Sequence, residues 1–171
     1  MKKSILLLAI LSVSLINAQA YIGNGDNKFQ VGANLQDNGT GLNLSYDFGI
    51  GENISIGISS TYLLGVDDAL KNHVDDSLDA NFDNRFDVRA RFNANLGNVI
   101  NIDENFDVYP GLSLGLKNFG GHLGARYFFT EGFGIFTELN VPFAKYKTGT
   151  LTAAETLHNQ FTVNLGASFN L

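Results

Sequence analysis

The sequence predicts an all-β fold: an eight-stranded antiparallel up-and-down transmembrane β-barrel with short periplasmic turns and longer outer loops. Three observations carry that prediction. From Gln160 to Leu171 apolar and polar residues alternate without a break. Phe161, Val163, Leu165, Ala167, Phe169 and Leu171 fall on one face, and Gln160, Thr162, Asn164, Gly166, Ser168 and Asn170 on the other. Side chains of a strand alternate faces, so this is a strand with one oily and one wet side. Seven further segments repeat the pattern upstream, and the chain opens with a secretory leader.

The leader is read from three parts. Lys2 and Lys3 form a positive start, Ile5 to Ile16 is apolar except for Ser12 and Ser14, and Ala18-Gln19-Ala20 is a small-x-small cleavage site. Cleavage is expected after Ala20, with Ala18 as second choice, giving a signal peptide at 1–20 and one barrel domain at 21–171. The apolar run is too short for a spanning helix. No later stretch reaches the roughly 18 apolar residues that such a helix needs. Cysteine is absent, so there is no disulfide framework, no lipidated N-terminal cysteine and no thiolate metal site. With Lys2 and Lys3 removed, nine basic residues face 17 acidic ones, a net charge of −8. That acidity argues against nucleic acid as a partner. Nineteen glycines against two prolines suit strands joined by tight turns.

The strands follow in order. The first runs over 28–36 and ends at Asp37-Asn38-Gly39, a hairpin signal. The second, 41–50, turns at Gly51-Glu52-Asn53 into the third, 54–64, in which Ser60 breaks the apolar phase. A long acidic connection, Gly65 to Arg85, leads to the fourth, 86–96. A Gly-Asn-Asp loop precedes the fifth, 106–116. Lys117-Asn118-Phe119-Gly120 joins it to the sixth, 122–129, and Thr130-Glu131-Gly132 leads to the seventh, 133–143. Residues 144–158 connect to the last strand. Each segment approaches the 9–11 residues that a tilted strand needs to cross a bilayer. An even strand number places both termini at one end, expected to be the periplasmic one. Tyr46, Phe48, Phe106, Phe129, Phe133 and Phe169 should ring that end. Tyr62, Phe86, Phe143, Tyr146 and Phe161 should ring the other, as two aromatic girdles. Pro110 and Pro142 are placed near strand ends, where a missing ladder donor is tolerated.

Alternation alone leaves open which face meets lipid, because a soluble barrel buries its apolar face. Bulk decides. The apolar phase is rich in Phe, Ile and Leu, and the interior of eight strands is only just wide enough for its own side chains. The polar phase is rich in small residues, among them Gly32, Gly57, Gly111, Gly124, Gly166, Ser45, Ser55 and Ser113. The apolar phase is therefore expected outside.

The last eight residues, Asn164-Leu165-Gly166-Ala167-Ser168-Phe169-Asn170-Leu171, resemble the C-terminal β-signal of outer-membrane proteins. Asn164, Gly166, Phe169 and Leu171 carry the pattern, although many such chains end in Phe. The resemblance implies that the barrel-assembly machinery of a Gram-negative envelope reads this strand. In topology the chain resembles small barrels of the OmpA-transmembrane, OmpX and OmpW type. That resemblance implies a monomer in the cell outer membrane, with membrane lipid and lipopolysaccharide as neighbours and no cofactor.

Candidate chemistry is sparse. Asp47, Arg89, Arg91, Tyr109, Arg126 and Glu138 all fall on the polar phase. They are expected to form a structural ionic network that closes the lumen; the alternative is a gate in a narrow porin-like channel. Arg126 and Glu138 are expected to lie opposite or diagonal across the sixth and seventh strands. In the acidic connection, Val66, Leu70, Val74 and Leu78 recur every four residues, as in a short amphipathic helix resting on the barrel mouth. Asp79-Ala-Asn81-Phe-Asp83 and Asp103-Glu-Asn105-Phe-Asp107 begin like calcium loops but lack the sixth-position glycine and the twelfth-position acid, so no metal is assigned. His73, Asp76 and Ser77 share one loop, a weak basis for a hydrolytic triad. His122 and His158 are expected at the surface or rim. Thr152 and Glu155 fit a capping box. The expected role is a structural or surface-interaction protein without enzymatic activity. A narrow channel, then a lipid-modifying enzyme, are the alternatives.

Overall fold

The computed structural model describes residues 19–71 and 79–171. Eight antiparallel strands close into one ring in sequence order: β1 (Asn27–Gln36), β2 (Gly39–Gly51), β3 (Ile54–Val66), β4 (Phe86–Ala94), β5 (Phe106–Gly115), β6 (Asn118–Thr130), β7 (Phe133–Lys145) and β8 (Thr162–Asn170). Two short helices lie between strands, α1 (Gly97–Ile100) and α2 (Ala153–His158). No helix among the described residues is long and apolar enough to cross a membrane. The seam pairs β1 with β8, from Lys28 opposite Asn170 to Gln36 opposite Thr162.

The oily phase is outside. Ile58 is 61% exposed and Leu165 46%, whereas Asp47 is 1% and Arg126 2% exposed. Ser60 sits on this outer phase between Leu44 and Val88, so it departs from the pattern in polarity and not in direction. The girdles also form. At the end holding the termini, Tyr127, Phe129, Phe133, Phe169 and Phe29 pack ring against ring. At the far end Tyr62 packs against Phe82 with the rings tilted and centroids 5.1 Å apart, and Phe119 meets Phe143 edge-on.

Four details differ from expectation. β6 begins at Asn118 and not at His122, so only Leu116 and Lys117 turn the chain there. The β4–β5 connection holds α1. At the terminal end it is the longest connection, while the β1–β2 and β5–β6 turns at the far end are two residues each. Pro110 is in the middle of β5. The β4–β5 ladder stops beside it, at Asn93 opposite Gly111, since proline offers no donor to extend it. At the first hairpin Asn38 takes the left-handed turn position (φ 61°), which asparagine tolerates, and Gly39 starts β2.

Close packing inside depends on glycine at particular places. The Tyr109 ring lies flat across Gly124, directly opposite it in the ladder, where a methyl group would overlap the ring. Gly111 leaves room in the same way for the His122 imidazole.

Candidate functional site

The strands carry a lumen filled with paired charges. Arg91 on β4 reaches two acids: its Nε lies 3.0 Å from Asp47 of β2, and an Nη donates to Glu138 of β7 at 2.7 Å. Arg126 on β6 donates to Asp107, directly opposite on β5, at 2.7 Å, and to Asn95 at 2.7 Å. The Tyr109 ring separates these clusters, 4.7 Å from the Arg126 guanidinium and 6.0 Å from that of Arg91. Its hydroxyl meets Gln30, which also accepts from Ser45. Arg89 pairs with Asp87 at 2.7 Å, and Lys28 with Asp26. Lys28, Arg91, Arg126 and the five acids are buried, Arg89 is partly buried, and each of the nine is in an ion pair. Buried charges survive only when so paired.

The six predicted lumen residues thus share one interior, but their partners are redistributed. Arg126 and Glu138 are diagonal across β6 and β7, as expected, Arg126 lying opposite Phe136, but they do not pair with each other. Glu138 stands opposite Gly124, whose inner face the Tyr109 ring covers, so Arg126 turns to Asp107 and Glu138 to Arg91. His122 is buried in the lumen, 2.6 Å from Asn93, and is not at the rim. His158 is buried as well. Lys28, Asp107, Asn95 and Gln30 were not singled out from sequence. Their inward phase was legible in the alternation, including for Asn95, which the structure places just past the end of β4.

Described segments pack across both mouths. At the far end the connections fold over the ring. Leu63, Val66, Ala80, Ala153 and Leu157 form a small apolar cluster, with Leu70 packed against it. The capping box at Thr152 and Glu155 is complete, which starts α2 across the opening. Bonds from Thr152 hold the Glu155 carboxyl below the usual carboxylate range. His158 bonds to the Asn84 carbonyl at 2.9 Å, and its own carbonyl accepts from Arg89 at 3.2 Å and Asn118 at 2.8 Å. Burial pushes its imidazole below the ordinary histidine value. Beneath this cap a polar void among Asn34, Asn43, Arg89, Asn140 and His158 leaves about 10 Å³ for water, roughly one molecule. Val66 and Leu70 do pack at the mouth; Val74, Leu78 and the His73, Asp76, Ser77 set lie outside the described residues. At the other end, residues 20–26 cross the opening. No group of three or more metal-binding side chains occurs among the described residues.

The C-terminal residues occupy the seam. Asn164 points inward and accepts from Asn34 at 2.8 Å. Gly166 faces Gly32 in register, with no room for a side chain on either. Phe169 lies in the aromatic belt, and the Leu171 amide donates to the Asn27 carbonyl at 3.1 Å.

A protein-family model described as a family of unknown function (DUF6646) matches residues 11–171. The fold is similar to a solved structure described as "De novo design of transmembrane beta-barrels", with a TM-score of 0.56 at 8% identity, covering 86% of this chain and 97% of that one. A search of curated proteins finds no match.

Proposed function

We propose, for a chain that belongs to this family of unknown function, that it is a secreted, monomeric, integral outer-membrane barrel with a closed lumen, acting as a structural or cell-surface interaction protein and not as an enzyme. The observation that carries this reading is the interior itself: among the described residues the buried cations Lys28, Arg91 and Arg126 are each in an ion pair, Tyr109 fills the middle and packed segments cover both mouths. A pore that conducts needs an unbroken wet path. The outward apolar belt and its aromatic girdles support residence in a bilayer. Lipid and lipopolysaccharide are then the immediate neighbours. The leader and the β8 pattern of Asn164, Gly166, Phe169 and Leu171 support delivery to the outer membrane and insertion by the barrel-assembly machinery. Both termini then face the periplasm, and α2 with the acidic connection faces outward.

Planar-bilayer recording tests the closed lumen. The protein is expected to be electrically silent, and steady, ion-selective openings would replace this reading with the narrow channel. Lipid A mass spectra from cells with and without the protein test the absence of activity. A change in acyl-chain number would show a lipid-modifying enzyme.

A further inference from the structure

We infer that residues Gln19–Asp26 are a built plug for the terminal mouth of the barrel, and that the leader is therefore removed between Ala18 and Gln19. This rests on the secreted-barrel reading above. The sequence pattern alone favours a cut after Ala20, because Ala18 and Ala20 make the better small-x-small pair. The geometry favours the other bond.

Ala20 is 1% exposed, packs on Phe128 inside the mouth and donates its amide to the Glu104 carbonyl at 2.7 Å. Tyr21 is also buried and reaches across to the β2–β3 turn. Its hydroxyl donates to the Ile54 carbonyl at 2.7 Å, with the Gly51 carbonyl 3.1 Å away. Its own carbonyl accepts from Asn98 at 3.1 Å. The chain then turns back through Gly23 (φ 100°) and Gly25 (φ 86°), positions suited to glycine. The Asp26 carboxylate closes the turn, accepting from the Ile22 amide at 2.7 Å and pairing with Lys28. The Lys28 ammonium lies against the Tyr21 and Phe128 rings. One short segment is thus fastened to β1, the β2–β3 turn, the β4–β5 connection and β6, which together surround the opening.

A cut after Ala20 would delete the residue that covers Phe128. It would also place a new α-ammonium on Tyr21, inside the mouth, where an ion is costly unless paired. A cut after Ala18 places that charge on Gln19, which is exposed and bonds through its side chain to Asn98 at 3.1 Å. It also keeps a small residue beside the scissile bond. Cleavage precedes folding, so the bond need not be accessible in the finished barrel.

Intact mass spectrometry of the protein purified from the membrane tests the register. The expected mass is that of a chain starting at Gln19, or that mass less one ammonia if the terminal glutamine cyclises. A chain starting at Tyr21 would overturn the inference. A retained leader would overturn the secretion reading and the inference with it. Ala20→Asp in the full precursor tests the plug. Its leader should still be removed, its heat-induced mobility shift on gels should move to lower temperature, and flickering conductance should appear where the parent is silent. Unprocessed Ala20→Asp precursor, or a variant with parental melting and silence, would overturn the plug. If Ala20→Asp fails to insert, Tyr21→Phe removes only the hydroxyl; a lowered mobility-shift temperature supports the plug and an unchanged one overturns it. A conducting parent instead defeats the closed-lumen reading, which separates the two failures.

Discussion

Replacing Arg91 with methionine tests the closed interior most directly. The Arg91 side chain is 2% exposed and lies between two carboxylates at 3.0 and 2.7 Å. Methionine fills much of the volume and supplies no charge. Asp47 and Glu138 would then face the same space as two acids with no cation between them. Removing one partner of a buried pair costs about 3–5 kcal/mol, because the remaining charge is left uncompensated. Here two charges are left, so the upper part of that range is expected. An Arg91→Met, Asp47→Asn, Glu138→Leu variant removes both unpaired charges. It should recover most of the loss, since apolar replacement of a buried ion pair is often neutral or stabilising. Urea titration of each variant folded in lipid vesicles measures the difference. A cost below about 1 kcal/mol for Arg91→Met, the range of solvent-exposed pairs, would mean that water reaches the cluster and that the closed-lumen argument is wrong.

Leu165→Arg places a charge on the outer face, level with Ala33 of β1 and Thr137 of β7, and should cost about 2–4 kcal/mol in vesicles; normal folding would refute the outside assignment. At the far mouth, burial holds the His158 imidazole below its ordinary 6.5, so the neutral form is favoured in the fold. That contribution is complete above pH 6.5 and is lost as pH falls through the lowered value. Limited proteolysis of the far-end connections should therefore accelerate in acid, and His158→Gln should flatten the dependence. At the terminal mouth, burial, and next Asp26, push the Tyr21 hydroxyl from 10.0 up to about 12. The plug should be at full strength below pH 10 and loosen as pH rises through 12, and Tyr21→Phe should abolish that alkaline step in a melting series.

Strand number, strand phase and the two girdles were legible because each follows from local rules. A period of two needs only neighbouring residues, and turns announce themselves through residues such as Asn38 and Gly39. The inward set Asp47, Arg89, Arg91, Tyr109, Arg126 and Glu138 was legible for the same reason. Their pairing was not. Partner choice depends on the stagger of strands far apart in sequence and on which bulky side chain occupies the centre. Tyr109 decides it here, and only because Gly124 stands opposite to receive the ring. Asp107 shows the limit from another side. It is two residues before Tyr109 and so on the inner phase, yet its surroundings Asp103-Glu-Asn105-Phe read as a polar turn.

The histidines make the same point for the mouths. His122 and His158 look like rim residues when strand ends are judged from pattern alone. β6 in fact starts four residues earlier, which carries His122 inside beside Asn93. His158 is buried because α2 turns across the opening and the Asp83–Arg85 turn brings the Asn84 carbonyl over it. Neither event has a periodic signature. A barrel wall is specified residue by residue, but a closed barrel needs covers made of non-repeating segments, each fixed by a few long-range bonds. On the closed-lumen proposal, conduction depends on those covers, Gln19–Asp26 at one end and α2 with the described parts of the acidic connection at the other. The function therefore turns on the residues that strand periodicity describes least.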